Sequence, residues 1–217
     1  MKILLTSLFI SSLIANSATL NWPKWRGPNG DGIALGDRVP TEWSDTKNLK
    51  WKLKLPGAGA SSPSIWGEQI FLTCYSGYGV SGPGGDLRKL MRHVVCVNTR
   101  TGKIEWQKNI KPQGDEDRYG GMGVPEHGYA TATPATDGKS VFISLGKTGL
   151  LAFDMKGKEL WRTETGVESS GKRWGASASP VLHGDKVFVN ALLRGHKILA
   201  LNKSDGNIEQ AIQYLRE

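Results

Sequence analysis

Long apolar runs are scarce in this chain. After its opening residues no stretch approaches the roughly 20 predominantly apolar residues that a membrane-crossing helix needs, so no integral span is expected beyond that opening. Cysteine is scarcer still. Cys74 and Cys96 are the only two, and no CxxC or His-x-Cys spacing accompanies them, which removes the common zinc arrangements. No block of five or six basic residues occurs either. The net charge of +8 is spread over single Lys and Arg residues, mostly beside turn glycines, as on a solvated surface. With no basic stripe, exposed aromatic row or known motif, nucleic acid is not an expected partner. A basic surface leaves acidic polysaccharide or anionic lipid open as a contact. The acidic stretch "GDEDR", with Asp115, Glu116 and Asp117, lacks the spaced oxygen ligands of a calcium loop and reads as a solvated turn; no metal site is expected. Glu126 has no evident second carboxylate, which argues against polysaccharide hydrolysis.

The opening "MKILLTSLFISSLIANSA" places Lys2 ahead of an apolar run and a small-x-small stretch. This is the form of a secretory signal peptide over residues 1–17, and it implies export to the periplasm, the cell surface or the medium. In such a compartment Cys74 and Cys96 could form a disulfide or remain buried thiols, and strand alternation alone leaves both open.

Glycine is abundant, at 28 residues, and its positions reveal a repeat. "GKIEW" at Gly102 to Trp106 returns as "GKELW" at Gly157 to Trp161. Around these, one order of features occurs three times: a small residue and proline, a Gly turn, a β-branched run, a loop, an apolar run ending in Asn or Asp, a second Gly turn and a closing strand. The spacing predicts four strands per copy, over 60–66, 69–74, 93–98 and 103–108, then 131–136, 140–145, 150–154 and 158–163, then 176–182, 186–191, 196–201 and 206–211. Four antiparallel strands repeated about every 45 residues predict an all-β fold, a β-propeller with about three blades. Trp106 and Trp161 are expected as apolar plates between blades, with Gln210 standing at the third such position.

The blade ends "VNTRTGKIEW" and "AFDMKGKELW", each followed by "TP" or "SP" at the next blade, resemble those of the PQQ-like family of β-propellers, the quinoprotein alcohol dehydrogenase-like family. The opening "WPKWRGPNGDGI" from Trp22 is similar to the start of exported bacterial members. The resemblance implies that "NLKWKLKLP", about 48–56, acts as a closing strand with Trp51 at the plate position, and that residues 18–47 form a lead or strap containing Trp22, Trp25 and Trp43. It also implies an incomplete ring, because propellers have typically 4 to 8 blades. The expected organisation is therefore signal peptide, strap, and a partial propeller over 48–217 with blades at about 60–108, 131–163 and 176–211.

Both long insertions, 75–92 and 111–130, fall on the face that carries the connections between blades, so a binding site is expected there. Its candidate residues are Glu126, His127 and Tyr129 before the second blade and Arg173 and Trp174 before the third. An Arg matches carboxylate or phosphate, and a Trp stacks on a ring. The family's enzymes hold PQQ under a ring of adjacent cysteines, over calcium, with an Asp base. Here the cysteines are far apart and no such constellation can be placed, so no cofactor is expected. The reading is an exported binding or scaffold propeller, part of a larger one, whose loop face takes a protein or polymer. A PQQ-dependent dehydrogenase completed by further blades is the alternative.

Overall fold

The computed structural model describes residues 21–34, 39–81, 85–113, 116–118, 128–167, 177–191 and 197–213. Twelve strands form three separate four-stranded sheets, each an antiparallel meander. The first blade contains β1 (Ser64–Trp66), β2 (Gln69–Ser76), β3 (Met91–Asn98) and β4 (Ile104–Ile110). The second contains β5 (Ala135–Thr136), β6 (Ser140–Ser144), β7 (Leu150–Asp154) and β8 (Glu159–Thr163). The third contains β9 (Val181–His183), β10 (Lys186–Ala191), β11 (Lys197–Asn202) and β12 (Ile208–Gln213). The innermost strands β1, β5 and β9 are neighbours, so the sheets fan out from one edge as blades of an open propeller. No α-helix occurs among the described residues, only 3₁₀ turns at Leu87–Lys89 and Gly146–Thr148.

The inner strands are shorter than their residues predict. Pro63, Pro134 and Pro180 stand just ahead of β1, β5 and β9 and have no N–H to donate to the ladder. At Thr73 the gap is filled by a side chain, since its N–H donates to the Ser61 hydroxyl at 3.1 Å. Pairing resumes upstream with Ala58 opposite Tyr75.

Each blade turns one face to the next, and a tryptophan seals the joint. Trp106 lies against Phe71 and Phe153, at centroid distances of 5.9 and 6.2 Å, and donates its indole N–H to the Met155 carbonyl at 3.0 Å. Trp161 repeats this one blade on, against Phe142 at 5.9 Å, and donates to the Lys203 carbonyl at 2.9 Å. The ring in each case covers a glycine at positive φ: a Cβ on Gly157 would sit 2.7 Å from Trp106, and one on Gly206 would sit 2.5 Å from Trp161. Only glycine combines that turn with that approach. Area alone credits each half-buried indole with at most about 2 to 3 kcal/mol.

Trp51 makes the same contact with the first blade. Its N–H donates to the Thr99 carbonyl at 2.9 Å, and its ring covers Gly102. Residues 49–55 carry no strand ladder, in contrast to the closing strand expected there, because no described strand lies beside them to pair with. They are seated instead by Trp51, Leu53 and Leu55 against Cys74, Val95 and Val97.

The register of the blades explains the cysteines. On β2 and β3, Cys74 lies opposite His93, whereas Cys96 lies opposite Phe71 and Trp106. Directly opposed residues share a face, so Cys74 faces the Trp51 side and Cys96 faces the second blade. Both are buried free thiols, which excludes the disulfide alternative. Burial pushes the Cys74 thiol up, and burial with the Glu105 carboxylate pushes Cys96 up to about 12.

Candidate functional site

The loop face is built around charges buried at the ends of strands. Arg92, near the start of β3, has a side chain only 3% exposed. Its guanidinium donates to the Glu116 carboxylate at 2.7 Å, to the Thr148 hydroxyl at 3.1 Å and to the Tyr129 carbonyl at 2.8 Å. Lys147, equally buried in the second blade, pairs with Asp117 at 3.4 Å. The acidic stretch read as a solvated turn is thus corrected: Glu116 and Asp117 are drawn inward by cations of two different blades. Buried charges persist only when paired and hydrogen-bonded, and here they hold Glu116 and Asp117 of the interblade insertion against the two blades.

Tyr129 occupies the centre of an aromatic cluster. Its ring meets Tyr75 edge-on at 5.4 Å and lies 5.9 Å from Tyr78, and its hydroxyl donates to the Asp117 carbonyl at 2.8 Å. Burial pushes its phenol up, so it stays a protonated donor. Gly128, at φ +66, lets the chain pass over the Tyr75 ring where any Cβ would collide. Of the sequence-derived candidates Tyr129 is the only one in the described chain. Glu126, His127, Arg173 and Trp174 lie outside the described residues. His93 fastens three strands of the first blade, with Ser76 and Asn109 each at 2.8 Å from its ring nitrogens.

Two cavities open from this framework. One of about 710 Å³ lies between the insertions, with Arg88, Lys111 and Arg118 on its walls and Glu116 among them. The Asp86 carboxylate there is paired with Arg88, which holds it below the usual carboxylate range. The other, of about 480 Å³, lies where the three inner strands begin. Ala60 and Ser62, Thr131 and Thr133, and Ser177 and Ser179 wall it in matching pairs from successive blades. Over it sit Lys24 and Trp25 from the strap, which is itself fixed in place. Trp22 bridges Ile65 in both directions at 2.7 and 2.9 Å, and the Pro23 carbonyl accepts from Thr136 at 2.8 Å. Neither the buried ion pairs nor the strap cavity is foreshadowed in the sequence, because no local spacing links Arg92 to Glu116 or Trp25 to Ser177.

The two thiols point to opposite faces of one blade, and among the described residues no three His, Cys, Asp or Glu side chains gather as a metal cage.

Fold and site together define an open β-propeller of tryptophan-sealed blades with a built-up loop face. A family model described as outer membrane protein assembly factor BamB matches residues 90–210, and the chain belongs to this PQQ-repeat β-propeller family. No curated protein matches the sequence. Among solved structures, a quinohemoprotein alcohol dehydrogenase from Comamonas testosteroni is similar over 91% of this chain and 28% of its own, at 18% identity and a TM-score of 0.59. A europium-containing methanol dehydrogenase aligns over 76% of this chain and 26% of its own, at 17% identity and a TM-score of 0.47. BamB from Moraxella catarrhalis aligns over 75% of this chain and 51% of its own, at 15% identity and a TM-score of 0.39. The chain thus spans about a quarter of the length of the two dehydrogenases. No helix among the described residues is long and apolar enough to cross a membrane.

Proposed function

We propose that this chain is an exported PQQ-repeat propeller unit, part of a larger propeller, that binds a protein or polymer through its long-loop face. The carrying observation is the anchoring of the interblade insertion by two buried ion pairs, Arg92 with Glu116 and Lys147 with Asp117. Fixing residues 116–118 costs conformational entropy, and buried pairs add little net stability, so their use here supports a shaped surface at this point of the insertion. The opening residues support export, and the reading takes no support from a cofactor.

The test compares the two faces of the disc. A photo-crosslinking amino acid is placed at Arg118 on the long-loop face or at Lys156 in a short turn on the opposite face, and the full chain is expressed with its leader in a bacterial host. Envelope adducts from position 118 and none from 156 are expected. Adducts from 156 alone, or from neither, overturn the reading. Alcohol-dependent dye reduction on addition of PQQ and calcium would do so in favour of the dehydrogenase.

A further inference from the structure

The cavity beneath the strap has a chemistry of its own. Its walls repeat one motif through three blades: the residue just before the proline is Ser62, Thr133 or Ser179, and the one two positions earlier is Ala60, Thr131 or Ser177. Five of these six positions carry a hydroxyl. Thr133 is 2% exposed and donates its backbone N–H to the Ser179 hydroxyl at 2.9 Å, which fixes the Ser179 oxygen and leaves its O–H available to donate. The inner strands are entered from the long-loop face, so these hydroxyls line that end of the inner strands of all three blades.

The strap adds two groups of a different kind. Trp25 is 57% exposed although its neighbours are anchored, a large indole held in place with its surface unburied. Arg26 lies over its ring at 5.6 Å. Lys24 adds a cationic side chain to the wall, and among the described residues no acidic side chain lines the cavity. Neighbouring hydroxyls, one cation and an unburied aromatic plate match a ligand with hydroxyls of its own, one negative charge and an apolar ring face. A volume of about 480 Å³ is within the range of small-ligand sites.

We infer that this cavity binds an acidic sugar, a pyranose bearing a carboxylate, with its ring on Trp25, its carboxylate at Lys24 and its hydroxyls on the Ser and Thr wall. The inference rests on the binding-module reading and names the polymer as an acidic polysaccharide. Phosphate alone would leave the indole and the hydroxyl rows without a role.

The experiment is calorimetric titration of the full chain with digalacturonate and with the uncharged galactose disaccharide. Saturable binding of digalacturonate is expected, with the neutral sugar weaker by about tenfold or more, since one charge-assisted contact is lost. Lys24→Met and Trp25→Ala should each weaken digalacturonate by about tenfold, while Trp43→Ala, at an exposed position away from the cavity, should not. Ser177→Trp fills the cavity from the wall opposite the strap, and should abolish binding with the melting temperature within a few degrees of the parent. Equal affinity for both sugars, no binding at millimolar concentration, or binding indifferent to the Lys24, Trp25 and Ser177 variants overturns the inference. If digalacturonate fails while cross-links from position 118 persist, the ligand assignment alone falls; if both fail, the module reading falls with it.

Discussion

Arg92 shows how one residue can decide the shape of a loop. Its guanidinium is satisfied by a carboxylate, a hydroxyl and a carbonyl drawn from the insertion and the second blade, and it is out of contact with water. Removing one partner of such a pair strands the other charge, which costs about 3 to 5 kcal/mol, whereas replacing both by apolar groups is often neutral. Glu116→Ala is therefore expected to lower stability by that amount in urea unfolding, and the double variant Arg92→Met, Glu116→Leu to recover most of it. A single variant within about 1 kcal/mol of the parent, where a typical domain's stability is about 5 to 15 kcal/mol, would contradict the role given to the pair. Read as a string, "GDEDR" has nothing to mark this fate. The partner of Glu116 lies 24 residues earlier on another strand, and solvated and buried carboxylates look alike in a loop.

At the scale of the element, the blade joints were the most legible feature, because their determinants are local. The turn that ends in Gly102, Gly157 or Gly206 is closed within itself by Asn98, Asp154 or Asn202, whose side chains accept backbone N–H groups two to four residues on. The tryptophan four residues past the first two glycines then falls into register opposite Cys96 and Ala152. A bulge just beyond these pairs recurs in all three blades, and no spacing in the sequence announces it. Nor do the shortened inner strands follow from periodicity, since a hydroxyl stands in for the ladder next to proline.

The joint between the second and third blades also carries a titrating contact. Lys203, whose carbonyl receives the Trp161 indole, reaches back with its ammonium to Asp137 at 2.8 Å. Burial opposes the Asp137 charge, but Lys203 and the N–H groups of Ser140 and Lys139 outweigh it and hold the carboxyl below its ordinary value. A carboxyl lowered on folding adds stability that is fully present above its unfolded pKa and is lost as pH falls through the folded one. Stability should thus decline below about pH 4, and Asp137→Asn should remove roughly 1 kcal/mol of that decline. Parallel curves of unfolding free energy against pH for the two proteins would show that Asp137 takes no part.

For the whole molecule the decisive asymmetry lies between its two ends. The first blade has its outer face covered, because Trp51, Leu53 and Leu55 lie on it as a preceding blade would. The third blade turns Val181, Phe188, Ile198, Ala200, Gln210 and Ile212 to the side where the other blades meet a neighbour, as their register shows. Ala200 is buried and Phe188 half-buried on that face, but Val181, Ile198 and Ile212 are 52, 40 and 59% exposed. An apolar sheet face left open is a site for association. The chain expressed by itself should therefore self-associate as its concentration rises, seen as a growing weight-average mass in sedimentation. Ile198→Lys with Ile212→Glu should suppress that growth and leave the melting temperature within a few degrees, because both side chains are at the surface and substitutions there usually change stability by under about 0.5 kcal/mol. A chain that stays monomeric at every concentration, or a double variant that associates as before, would mean that the open face is not sticky. In the larger propeller proposed above, the blade faces would then contribute shape alone, and the hold between blades would have to come from the loops.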